Sequence, residues 1–176
     1  MRRPEFHPLQ AEEIARAFHE EGVDYLFLGK SGAILLGYPG TTQDVVVFPA
    51  RTPENGRQIT VALRKIGFDI TPELERQIVA AKDFVQIKNG PFDVDLVFAP
   101  DGIANFEEAR LRGVTVGIFH VANLRDIIAS KRASGRERDL LELPMLERFR
   151  EEYERLNAPP LRSAHDIATG QSKQST

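Results

Sequence analysis

The run Val-Asp-Tyr-Leu-Phe-Leu-Gly at residues 23–29 constrains the fold most. It is apolar at nearly every position, which predicts a strand buried on both faces. Such a strand needs covering elements, and the flanking sequence supplies them. In PLQAEEIARAFHEEG, Ile14 and Phe18 stand one helical turn apart with Ala11 and Ala15 beside them, and Gly22 stops the helix. After the strand, SGAILLGY is short, small and apolar and is closed by Pro39 and Gly40, which predicts a short helix packed tightly on it.

The alternation continues along the chain. DVVVFP at 44–49 reads as a second strand. Pro53 suits a helix start, and Ile59, Ala62, Leu63 and Ile66 fall on one face before Gly67. DFVQIKNGPFDVDLVFAP predicts a hairpin, two strands with a turn at Asn89 and Gly90. From residue 104 helices dominate, interrupted by one β-like run, VTVGIF at 114–119. The segment VANLRDIIASKRASGRERDLLELPMLERFREEYERL predicts two or three helices, broken near Gly135 and restarted at Pro144, with Met145, Phe149, Tyr153 and Leu156 at helical spacing. These helices are expected to cover one face of the sheet. The pattern describes one α/β domain over residues 1–157, helical from about residue 120. A polar, proline-containing tail at 158–176 has too few apolar residues to order itself.

Composition narrows the class of function. With 176 residues, 41% of them hydrophobic, the chain has enough material for one domain with a core. Against 26 acidic residues stand 23 Lys and Arg, a formal charge of −3, so the overall field does not favour indiscriminate binding to nucleic acid or an anionic membrane. No cysteine is present, which excludes disulfides, thiolate metal sites and a cysteine nucleophile. His7 and His165 fall near the termini, His19 reads as solvated and His120 as a packing or capping residue, and no two histidines have metal-ligand spacing. The N-terminus carries Arg2 and Arg3 but no apolar signal core, and no run of about 18 apolar residues occurs. A soluble, cytoplasmic protein is expected.

Gly29-Lys30-Ser31-Gly32 follows the first strand and suggests a phosphate site. A P-loop also requires a glycine five residues before the Gly-Lys-Ser, and that position is Asp24, in or beside the strand. The P-loop reading fails. A start of a helix built from small residues remains suited to a triphosphate, because its amides lack helical partners and Lys30 adds a full charge.

The order of Gly-Lys-Ser-Gly-Ala, then Leu-x-Gly, then Thr-x-Asp at the next strand resembles the signature of the nucleotidyltransferase superfamily related to DNA polymerase β. FDVDLVF resembles the family's strand with the third carboxylate. LRDIIASKRASGRERDLLEL resembles the C-terminal helical signature of small stand-alone bacterial members, with Arg138 where a lysine is usual. The resemblance spans roughly residues 22–145. It implies a mixed β-sheet flanked by helices, an NTP substrate, and Mg²⁺ or Mn²⁺ held by carboxylates. By position it assigns Asp44 and Asp95 to metal binding and catalysis, with Asp93 beside them, and Gly29, Lys30, Ser31, Gly32 and Lys131 to the nucleotide. Small members of this kind include antibiotic-modifying enzymes and toxins of toxin–antitoxin pairs.

The family chemistry moves a nucleoside monophosphate from an NTP to an acceptor hydroxyl, with two Mg²⁺ ions clamping the attacking and leaving oxygens. Without a cation, a carboxylate about 4 Å from a phosphate charge is opposed by roughly 4 kcal/mol at an intermediate dielectric. Family members carry an Asp-x-Asp pair on the second strand, whose side chains share one face. Here the stretch reads Asp44-Val45-Val46, and valine has no donor atom. Two readings stay open: an enzyme using Asp44 and Asp95 on an RNA end, a protein or a small molecule, and a degenerate member that binds a nucleotide or a protein partner. Each residue also has an ordinary reading. Asp44 suits a strand-edge turn, Lys30 and Lys131 suit a solvated surface, and Asp139 suits a structural ion pair with Arg136 or Arg138.

Overall fold

The computed structural model describes residues 5–157, so the predicted tail at 158–176 lies outside the described residues. The first helix, α1 (Pro8–Glu20), begins with Pro8 and is capped by His7, whose side chain accepts from the Leu9 amide while Gln10 accepts from the His7 amide. Ala11, Ile14, Ala15 and Phe18 are buried, as their spacing requires. His7 is therefore a cap residue.

The strand β1 (Tyr25–Leu28) is buried at every position and runs directly into the seven-residue α2 (Gly29–Leu35). Next come β2 (Asp44–Pro49), α3 (Pro53–Lys65), α4 (Pro72–Val79) and the hairpin of β3 (Phe84–Ile87) and β4 (Asp93–Val97). The chain then forms α5 (Phe106–Arg112), β5 (Val114–Val116), β6 (Phe119–Val121), α6 (Leu124–Ser134) and α7 (Glu137–Asn157). The six strands make one mixed sheet in the order β3-β4-β2-β1-β6-β5. β2 pairs antiparallel with β1 and parallel with β4, while β6 lies parallel to β1. The α/β expectation holds. Among the described residues, no helix is long and apolar enough to cross a membrane.

Three sequence expectations are corrected. The run at 114–119 is not one strand: it folds at Gly117, with φ +57, into the β5–β6 hairpin that extends the sheet beyond β1. Pro144 does not restart a helix but lies inside α7, on its exposed side, where water can satisfy the carbonyl that proline leaves without a donor. Leu143 and Leu146 carry the buried face of α7 and Phe149 and Tyr153 pack against the core, whereas Met145 and Leu156 are exposed. The break at Gly135 is as expected, with the residue in the left-handed region at φ +64. A helix not anticipated, α4, is announced by Thr71-Pro72-Glu73: the Thr71 hydroxyl accepts from the Leu74 amide at 3.2 Å and Pro72 opens the helix.

One buried side chain ties α3 to both central strands. Asn55 accepts from the Asp24 amide at 2.9 Å and donates to the carbonyls of Asp24 at 3.0 Å and Ala50 at 2.9 Å. It closes the end of the β1–β2 ladder opposite α2. Asn55→Asp keeps the shape but replaces a donor to two carbonyls with an acceptor, and each buried group left unsatisfied costs about 1–3 kcal/mol. Urea titration should therefore show Asn55→Asp destabilised by about 2–5 kcal/mol; a variant as stable as the parent would refute the clamp.

Candidate functional site

The parallel pairing of β2 with β4 sets Asp44 opposite Asp93 and Val46 opposite Asp95. Val45, Val47, Val94 and Leu96, the alternate residues, are fully buried. Strand alternation therefore gives Asp44, Val46, Asp93 and Asp95 one common face, turned away from that core. This face forms the floor of a cleft of about 340 Å³.

The cleft gathers most of the residues anticipated from sequence. Gly29 and Lys30 enter from the start of α2, Asp44 and Asp95 from the floor, and Lys131 from α6. Arg136 lines it from the connection into α7 and Arg138 from the first turn of α7. Asp93 shares the floor's face but is not among the lining residues. Ser31 and Gly32 lie beneath the surface. The fully buried Ser31 hydroxyl donates to the Leu28 carbonyl at 3.0 Å and accepts from the Val46 amide at 3.0 Å. Gly32 permits close approach, since a Cβ there would stand 3.1 Å from the Phe27 carbonyl oxygen. Both position α2 on the strands.

Gly29 is constrained twice. Its φ is +64, and a Cβ would meet the Val46 Cγ2 at 3.2 Å. Val46, at the position where the resembling family carries a carboxylate, thus packs against the glycine that opens α2.

The two lysines of the cleft are joined by Glu142 of α7, which the sequence reading did not find, and Asp139, expected to pair with an arginine, meets Lys131. Lys30 Nζ lies 2.5 Å from Glu142 Oε1, and Lys131 Nζ lies 3.4 Å from Glu142 Oε2 and 3.2 Å from Asp139 Oδ1. Burial opposes ionisation of Asp139, but the Ser134 hydroxyl and Lys131 outweigh it and hold the carboxyl below its ordinary range. Glu142 is held low in the same way, burial being outweighed by Lys30 and Lys131. Arg136, a partner expected for Asp139, reaches it only at 4.0 Å.

Asp95 behaves in the opposite sense. Burial, with the charge of Asp44 and a smaller contribution from Asp93, pushes its carboxyl up to about 6. A cation between Asp44 and Asp95 would relieve this repulsion. Among the described residues, no three His, Asp or Glu side chains are grouped so as to hold a metal ion. Two carboxylates fit one Mg²⁺ or Mn²⁺ ion that arrives with phosphate oxygens, the usual way Mg²⁺ is bound. They do not fit a pair of resident ions.

No family model matches this chain, and no curated protein gives a significant sequence match.

The raised carboxyl has a consequence for stability. Because Asp95 holds its proton more tightly folded, at about 6, than at its ordinary 3.8, its ionisation weakens the native state above that range. The cost disappears as pH falls through the folded value. Asp95→Asn should therefore melt higher than the parent near pH 8, with the gap closing between about pH 6 and pH 4. Parallel melting curves across that interval would show that Asp95 ionises normally.

Proposed function

We propose that this chain is a nucleotidyltransferase-like protein that binds a nucleoside triphosphate in the cleft, with Mg²⁺ or Mn²⁺ held by Asp44 and Asp95. The observation that carries the proposal is the convergence of these two carboxylates with Gly29, Lys30 and Lys131 in one cleft, from segments far apart in sequence. The order of motifs from residue 22 to 145 supports the same reading. The bound cation supplies positive charge between the carboxylates and the phosphates. Lys30 and Lys131, with Arg136 and Arg138, line the cleft opposite a floor that is acidic, the polarity a metal–triphosphate complex requires.

Transfer of the nucleoside monophosphate is the second reading, and the place of Asp95 on the cleft floor, on the same face as Asp44, favours it. A carboxylate there is within the site to take a proton from an acceptor hydroxyl as it attacks. The hydroxyl oxygen would bond to the α-phosphorus as the bond to the bridging oxygen breaks, and pyrophosphate would leave with that electron pair. The acceptor is an RNA end, a protein hydroxyl or a small molecule. Val46 favours binding without transfer, since the ligand set lacks the second carboxylate of the resembling enzymes.

Calorimetry with each NTP, with and without Mg²⁺, tests the proposal. Affinity should rise with Mg²⁺, and Asp44→Asn should abolish that rise; no binding under either condition overturns it. Pyrophosphate release from radiolabelled NTP separates transfer from binding alone. Val46→Asp should tighten Mg²⁺-dependent binding or create release, because it sets a carboxylate directly beside Asp95. An unchanged variant would mean that position 46 lies outside the metal site.

A further inference from the structure

The edge strand β3 presents Phe84 to the cleft, 42% exposed, while its neighbour Val85 is buried beneath. Alternation places Phe84 and Gln86 on the same face as the acidic floor, and the hairpin register sets Gln86 beside Asp95 and Phe84 beside Val97. Phe84 therefore stands one same-face step, about 7 Å along the strand, beyond the level of Asp95. An exposed aromatic residue on a sheet edge invites unwanted association and gains nothing for the core. Its place in this cleft gives it a use. Past it the wall continues with Ala99, Pro100 and Asp101. The cations lie elsewhere in the same cleft, on α2, α6 and the start of α7. The cleft is thus divided into a charged part suited to phosphates and a rim suited to a flat apolar ring.

We infer that Phe84 is the platform on which the base of the bound nucleotide stacks. The inference rests on the nucleotide-binding reading above and adds to it the position of the base. With the phosphates at Asp44, Asp95 and the lysines, the ribose spans the step from Gln86, level with Asp95, to Val97, level with Phe84, and the base reaches the exposed ring. Every base has a π-face, so stacking alone is tolerant of base identity. Gln86 and Asp101 supply polar groups nearby for any preference.

The test compares NTP with tripolyphosphate, which has the phosphates but no base, each with Mg²⁺ and the full chain. Phe84→Ala should weaken NTP binding about 5- to 100-fold and leave tripolyphosphate binding unchanged. The chain contains no tryptophan, so Phe84→Trp gives a single indole signal. NTP should quench it and tripolyphosphate should not, with NTP affinity retained. Equal NTP affinity for the parent and Phe84→Ala overturns the inference while leaving the nucleotide site standing. An equal loss for both ligands overturns it too, because Phe84 would then support the cleft and not the base. If the parent binds neither ligand, the nucleotide reading itself fails and the inference falls with it.

Discussion

Ser31 holds the arrangement on which the cleft depends. Its hydroxyl, without solvent exposure, links the Leu28 carbonyl to the Val46 amide and so joins the end of β1, the first turn of α2 and the middle of β2. Without it a part-buried amide would lose this acceptor. The location of this bond matters more than its strength. It fixes the height of Gly29 and Lys30 above the floor, while Gly32 lets α2 approach Phe27 closely enough for the bond to form. In Gly-Lys-Ser-Gly, then, the lysine and first glycine face the cleft, and the serine and second glycine hold them there.

Charge in the cleft is already partly compensated by the protein. Glu142 bridges Lys30 and Lys131, and Asp139 adds a second contact to Lys131. Partly buried ion pairs of this kind recover the desolvation of their members only when the geometry is good and further bonds are made. Here Ser134 supplies one. A triphosphate entering the cleft would meet lysines engaged by carboxylates, and its charge would compete with theirs. The network also makes α7 part of the site, to which it presents one base, Arg138, and one acid, Asp139.

Local pattern explains what could be read from the sequence. The buried faces of α1 and α3, the β3–β4 hairpin and the end of α6 at Gly135 follow from periodicity, turn chemistry and capping within a few residues. The motif order likewise brought Asp44, Asp95, Lys30 and Lys131 into consideration, and they do share a cleft. What escaped depends on distant partners or on short elements. Glu142 meets Lys30 across 112 residues, and nothing in LLELPML marks it. Asn55 lies two residues after Pro53, where only a helix start was read, but its three bonds reach Asp24 and Ala50. Pro144 resembled a helix start because its exposure, which makes it tolerable inside α7, is a tertiary property.

Val46 unites the steric and electrostatic features of the site. Its methyl groups occupy the space against Gly29, and its register sets it directly beside Asp95. An apolar neighbour withholds the hydration and hydrogen bonds that stabilise a carboxylate, in keeping with burial being the largest influence raising Asp95. The valine offers no metal ligand, while burial and the charge of Asp44 push the carboxyl beside it up to about 6. If the site holds a cation as proposed, proton and cation would compete for Asp95, and occupancy by Mg²⁺ would fall off at a higher pH than at an ordinary aspartate. On the proposed reading, binding would rely on the phosphates to bring the cation with them, which would make triphosphate and metal mutually dependent ligands.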